Sequence, residues 1–167
     1  MKLLGAILII AVCWLSGVDF QKTNKQKLDF ARGLFDGIDF LKSEIVYSCD
    51  FLGDSIIKSS EFSGEASAFM GFIGVQLKEK GISTEYAFEQ AGTLICDKVS
   101  KEAYVLTKDL FCQLGEKDCE NQEKMLEGYL KKLDVLIKKQ NDFCEKECVM
   151  IKKTSAIAGI GLAVLFI

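Results

Sequence analysis

The sequence predicts an all-α protein, folded as an up-and-down bundle of about four helices and stapled by disulfides. Apolar residues recur at steps of three and four over long stretches, which is the period of one helix face. The 167 residues include no proline, which suits uninterrupted helices and argues against a turn-rich β fold. Six cysteines follow an N-terminal stretch that has the form of a secretory signal. Together these observations predict a small helical domain of the secretory pathway.

Residues 1–17 have the three parts of a signal peptide. Lys2 gives a positive start, an apolar run covers Leu3–Leu15, and the small residues Ser16 and Gly17 suit a cleavage site. The alternative is a signal anchor that stays in the membrane, but this run is shorter than the roughly 20 residues that span a bilayer. We therefore predict cleavage near Gly17, which leaves a helical-bundle domain at 18–153 and an apolar tail at 154–167.

The first predicted helix runs from Lys22 to about Ser59. Gly33, Gly37 and Gly53 weaken it relative to alanine, so a bend is compatible with this stretch. Its apolar stripe consists of Leu28, Ala31, Leu34, Phe35, Ile38, Leu41, Ile45, Cys49, Leu52 and Ile56.

A second helix is predicted to end near Gly81, and a third to begin at the cap residue Ser83. Gly64, Ser67, Gly71 and Gly74 place small residues along one side of the second helix, which predicts close packing against a neighbour. The apolar stripes are Phe62, Ala66, Phe69, Met70, Ile73 and Leu77 in the second helix, and Ala87, Ala91, Leu94, Ile95, Val99, Ala103, Leu106 and Leu110 in the third.

The longest amphipathic run is the fourth, from Asp118 to Ile151, and it predicts the central helix of the bundle. The tight connection at 114–118 before it implies that the third and fourth helices are antiparallel neighbours. Leu126, Leu130, Leu133, Ile137, Cys144, Cys148 and Ile151 form its apolar stripe, and Lys131, Lys132, Lys138, Lys139, Glu145 and Lys146 lie on the other side.

The six cysteines of the mature chain predict three disulfides, because export favours oxidation. The alternatives are buried free thiols and, less favoured without histidine, a zinc site. One scheme pairs Cys112 with Cys119, Cys49 with Cys96, and Cys144 with Cys148, although the last pair is too far apart on an intact helix. The competing scheme pairs Cys112 with Cys148 and Cys119 with Cys144, and both remain open. The candidate disulfide residues are therefore Cys49, Cys96, Cys112, Cys119, Cys144 and Cys148.

The apolar tail at 154–167 has three interpretations. An apolar run at the end of an exported chain resembles a GPI-attachment signal or another membrane segment. It also suits a core segment of the bundle, or a surface that binds a partner. Measuring whether the chain reaches the medium with and without this tail distinguishes attachment from core packing.

The composition predicts a binding protein rather than an enzyme. The chain has no histidine, which removes the commonest general base and the commonest zinc ligand, and no nucleophile–base set, phosphate loop or calcium loop is present. We expect no catalytic, cofactor or metal site. The formal charge of -3 with interspersed signs argues against nucleic-acid binding.

Two functions follow as hypotheses. The first is a secreted or surface-tethered protein that binds a protein or receptor, located outside the cell or on the outer face of the plasma membrane, with possible attachment through the tail. The second is an extracellular carrier that holds a small apolar ligand in the bundle core, because the chain has 12 phenylalanines.

Overall fold

A computed structural model of the protein describes residues 2–47, 51–95, 97–115 and 119–166, and within these ranges all regular structure is helical. The all-α class is thus confirmed. The helices are α1 (Lys2–Tyr47), α2 (Leu52–Ser60), α3 (Ser67–Lys80), α4 (Thr84–Ile95), α5 (Lys101–Gln113), α6 (Cys119–Asp142) and α7 (Val149–Phe166). A 3-10 turn at Gly64–Ala66 precedes α3, and a π-helical turn at Phe143–Cys148 joins α6 to α7.

The chain divides into two compact units. Unit 1 contains residues 1–26 and 139–167, so both apolar ends of the chain belong to it, and unit 2 contains residues 27–138. The predicted signal at 1–17 lies within unit 1, where the described part of α1 is continuous from Lys2. Cleavage near Gly17 and the boundary at 154 stay predictions.

Two of the predicted helices are each divided into two shorter ones, so the predicted number of about four is too small. The first ends at Tyr47, and α2 begins after Phe51, whose backbone is extended. The third is divided between α4 and α5, because Ser100 starts a new helix with an extended backbone and a side chain that accepts a hydrogen bond from the Ala103 amide. The fourth remains α-helical only to Asp142.

The helix ends follow the capping chemistry of the sequence. Gly81 ends α3 at a φ of 60°, a left-handed conformation that favours glycine, and its amide donates to the Leu77 carbonyl. The hydroxyl of Ser83 accepts a hydrogen bond from the Tyr86 amide at 3.3 Å, as expected of the predicted cap. Gly115 turns the chain after α5 with a φ of 91°. Asp118, where the fourth predicted helix begins, lies outside the described residues.

Unit 2 is built around one hydrophobic core, and most of its predicted stripe positions are confirmed. Two stripe residues are exposed: Phe62 is 53% exposed and stacks on Phe40, and Leu94 is half exposed. Four others are only partly buried, namely Phe35, Leu52, Leu106 and Ile137. Phe111, which no predicted stripe included, is fully buried. The predicted residues that are buried are Leu28, Ala31, Leu34, Ile38, Leu41, Ile45, Ile56, Ala66, Phe69, Met70, Ile73, Leu77, Ala87, Ala91, Ile95, Val99, Ala103, Leu110, Leu126, Leu130 and Leu133.

Glycines allow the helices of unit 2 to approach closely. A Cβ atom at Gly33 would overlap the carbonyl oxygen of Ser63, and one at Gly74 would lie 2.9 Å from the amide nitrogen of Ile57. The small residues of the second predicted helix therefore serve packing against α2, as predicted. At Gly33 the sequence suggested a bend, whereas α1 is continuous there and the missing side chain makes room for the loop after α2.

A buried hydroxyl pair links α5 to α6. Thr107 donates to the Ala103 carbonyl at 2.7 Å, so its oxygen is left to accept from the Tyr129 hydroxyl, 3.0 Å away. Burial raises the pKa of Tyr129 above its usual value, which keeps the phenol protonated. The pair fixes the register of the two helices whose outer faces form the groove described below.

Candidate functional site

The predicted disulfide staple is not supported. Cys112 and Cys144 are not in disulfide bonds, so neither pairing scheme is formed at these positions. The physical reason at Cys144 is that the chain stays helical through this region, as a π-helical turn, and does not unwind to bring two neighbouring cysteines together. Cys49 and Cys96 lie outside the described residues, and so do the side chains of Cys119 and Cys148.

The Cys112 thiol is half-buried beside α4. Burial raises its pKa above the usual range, and the carboxylate of Glu85 raises it further. Both effects favour the protonated thiol over the reactive thiolate.

An aromatic cluster occupies the centre of unit 2, where a carried ligand was predicted. Phe69 contacts three other rings, with centroid separations of 6.1 Å to Phe30, 5.7 Å to Phe88 and 5.8 Å to Phe111. Tyr104 contacts Phe88 at 5.4 Å. These separations are those of directly packed rings, so the aromatic residues fill the core with one another.

An open groove runs between the outer faces of α5 and α6, with a volume of about 690 Å³. Val105 of α5 and Val135 of α6 are 67% and 64% exposed at its centre, flanked by the half-buried Leu106 and Leu136. Both valines line the same groove, so they form one apolar strip between α5 and α6. We call this surface the α5/α6 groove.

The two walls of the α5/α6 groove carry opposite charges. The α5 wall contributes the carboxylates of Glu102 and Asp109, and the α6 wall contributes the ammonium groups of Lys131 and Lys132. The groove continues toward Lys124, another α6 lysine, past the same Asp109. The α5/α6 groove therefore has apolar side chains between two walls of opposite charge.

Sequence reasoning missed this groove because its apolar residues lie at the edge of the core stripes. Val105 is adjacent to the predicted stripe residue Leu106, and Val135 lies between Leu133 and Ile137 of the fourth stripe. Periodicity alone does not indicate whether another helix covers that edge. Lys131 and Lys132 were correctly predicted to lie on the outer side of the central helix, and both are exposed.

A second depression, of about 630 Å³, lies beside the stacked rings of Phe40 and Phe62. Their centroids are 4.2 Å apart, and Asp36, Asp39 and Lys42 line the same depression. The ammonium group of Lys42 is 3.7 Å from the carboxylate of Asp39 and 4.0 Å from that of Glu127, so an ion pair links α1 to α6 beside this depression. Its lining is more polar than that of the α5/α6 groove.

Unit 1 exposes large apolar side chains on both of its chain segments. Val12, Trp14 and Leu15 of α1 are each more than half exposed, and Ile157 of α7 is 68% exposed. The ring of Phe20 makes an edge contact with Phe143 at 6.4 Å, which joins the two segments within the unit. Among the described residues, no helix combines the length and apolar character needed to cross a membrane.

Metal-ligating and catalytic constellations were not predicted, and the sequence contains no histidine. In the part of the chain that the structure describes, no group of three or more Cys, Asp or Glu residues is arranged to hold a metal ion. Charged groups meet in pairs such as Lys78 with Asp54 at 2.6 Å and Lys108 with Glu89 at 3.3 Å.

The chain matches the family model of stage III sporulation protein AB (spore_III_AB) over residues 2–167. No match was found among curated proteins or among solved structures. The family match covers both units and includes the two apolar ends.

This match overturns the functional predictions made from the sequence. A sporulation-stage family of bacteria is not a family of secreted proteins, so the extracellular location, the surface tether, the GPI anchor, the receptor-binding role and the ligand-carrier role are wrong. The N-terminal apolar run has the composition of an export signal, and the extracellular location was predicted from it. Because the match extends over nearly the whole sequence, the chain belongs to the stage III sporulation protein AB family.

Proposed function

We propose that the protein acts during sporulation as a membrane-associated, non-enzymatic component, in which unit 1 attaches the chain to a membrane and unit 2 binds a protein partner. The observation that carries the proposal is the exposure of large apolar side chains on both segments of unit 1, in a member of a sporulation family. The absence of histidine from the sequence supports a binding role over catalysis.

The apolar surface of unit 1 favours a lipid environment. Burying one large apolar side chain contributes about 1.5–3 kcal/mol, and Trp14, Leu15 and Ile157 are all available for such burial. Tryptophan is also enriched where a membrane meets water, because its ring is apolar and its N–H group is polar.

Charge distribution supports the same division of roles. Unit 1 contains seven lysines against four carboxylates, a formal charge of +3, whereas unit 2 contains 14 basic against 20 acidic residues, a formal charge of -6. Lys22, Lys25, Lys146 and Lys153 of unit 1 are exposed. A lysine near an anionic lipid surface contributes about 1 kcal/mol, so lipid headgroups attract unit 1 and repel unit 2.

The test is a sporulation experiment in the bacterium that carries this chain. Deleting the gene is expected to reduce heat-resistant spores to near background, and the wild-type gene is expected to restore them. A Leu15→Glu/Ile157→Glu variant places two charges on the apolar surface of unit 1, so we expect it to fail to restore spores. The readouts are the spore count and the amount of folded protein in the cell.

A matched variant, Val75→Glu/Leu94→Glu, adds the same two charges at exposed apolar positions of unit 2, outside the α5/α6 groove. We expect it to restore spores as the wild type does. A normal spore count in the deletion strain would contradict a role in sporulation. A normal count with the Leu15→Glu/Ile157→Glu variant would contradict attachment through unit 1.

A further inference from the structure

We propose that the α5/α6 groove binds the same groove of a second copy of this chain, forming a symmetric dimer. The inference rests on the proposed function, because it names the protein partner of unit 2. It is carried by the opposite charges of the two groove walls and by the exposed valines between them.

The walls of the α5/α6 groove are self-complementary under one particular symmetry. A two-fold axis parallel to the groove places the α5 wall of one copy against the α6 wall of the other. The carboxylates of Glu102 and Asp109 then meet the lysines of the second copy. A two-fold axis across the groove would instead place like walls together, which electrostatic repulsion disfavours.

The levels of the charged residues along the groove also match. Asp109 and Lys132 line the same stretch of the groove, together with Leu106. A rotation about an axis parallel to the groove leaves each residue at its own level. Asp109 of one copy therefore meets Lys132 of the second copy, and the symmetry creates this pair twice.

The apolar residues supply the centre of the interface. Val105 and Val135 are 67% and 64% exposed. The same rotation brings Val105 of one copy against Val135 of the second copy, and Val135 of the first against Val105 of the second. β-branched side chains have few rotamers, so little side-chain entropy is lost when they are buried. Isologous two-fold contacts are also the commonest form of self-association among soluble oligomers.

The test measures the dissociation constant of the detergent-solubilised full chain by sedimentation equilibrium. In the basic-wall variant, Glu102→Lys/Asp109→Lys, both walls become positive. In the acidic-wall variant, Lys131→Glu/Lys132→Glu, both become negative. Each variant alone is expected to dimerise about tenfold more weakly or worse than the wild type, since like charges meet at both ends of the symmetric contact.

Mixing the basic-wall and acidic-wall variants is the decisive experiment. A basic-wall chain and an acidic-wall chain present opposite charges only to each other, so the mixture is expected to form heterodimers with an affinity near that of the wild type. Glu61→Lys/Glu79→Lys is the matched control for the basic-wall variant. It makes the same change in net charge, at exposed positions outside the groove. It is expected to dimerise as the wild type does.

A wild-type chain that stays monomeric over the whole concentration range would overturn the proposal. Folded charge variants that dimerise as the wild type does, or a mixture that forms no heterodimer, would overturn it too. The measurement needs neither a membrane nor sporulation, so failure here is distinguishable from failure of the proposed function.

Discussion

Replacing Phe69 by alanine is expected to lower the free energy of unfolding of unit 2 by about 3–5 kcal/mol. Phe69 of α3 contacts the rings of Phe30 in α1, Phe88 in α4 and Phe111 in α5, so one side chain joins four helices. Truncation removes these contacts and leaves a cavity that the packed surroundings fill only in part. The measurement is urea unfolding followed by circular dichroism.

Phe62→Ala is the matched control for Phe69→Ala. Both phenylalanines were predicted on one stripe, but Phe62 is exposed and makes its aromatic contact only at the surface, with Phe40. Its loss is expected to cost about 1 kcal/mol. Equal losses for the two variants would contradict the placement of Phe69 at the centre of the core.

Replacing Gly33 by alanine is expected to lower the free energy of unfolding by about 2 kcal/mol, although alanine is the better helix former by ~1 kcal/mol. A Cβ atom at this position overlaps the carbonyl oxygen of Ser63, and the amide nitrogen of Ala66 is 3.2 Å from it. These atoms belong to the backbone and cannot rotate away, so the loop after α2 must shift. Urea unfolding is again the measurement.

Gly128→Ala is the control, because Gly128 also lies inside a helix but a Cβ atom there meets nothing within 4 Å. This substitution is expected to raise the free energy of unfolding by about 0.5–1 kcal/mol through helix propensity alone. If Gly33→Ala stabilised the protein by the same amount, close packing of α1 on the loop at Ser63 would be refuted.

Helical periodicity predicted the core of unit 2 well, because burial repeats with the geometry of the helix itself. Leu34, Ile38 and Leu41 are fully buried at the predicted spacing. The division of the third helix was not predicted, because a serine in the sequence does not show whether it lies inside a helix or caps one. The extended backbone of Ser100 shows that it caps α5. Phe111, which follows that division, is fully buried although no predicted stripe included it.

The functional site could be predicted only in part. Lys131 and Lys132 were placed on the outer side of the central helix, but the groove also depends on which helix edge remains uncovered, and no single helix carries that information. The disulfide prediction depended on export, which the apolar run at Leu3–Leu15 suggested. An apolar run of this length has the same composition whether it is an export signal or part of a membrane-associating unit, so the sequence alone did not separate the two.

Vesicle flotation of the purified full chain tests the central claim, attachment through unit 1, most directly. The wild type is expected to float with lipid vesicles, more completely when they contain anionic lipid, and less completely as salt screens the lysines of unit 1. Leu15→Glu/Ile157→Glu is expected to bind at least about tenfold more weakly, because two charges replace apolar side chains that lipid would bury. Val75→Glu/Leu94→Glu is expected to float as the wild type does. Equal flotation of the two variants, or a wild-type chain that stays with the soluble fraction, would contradict the account.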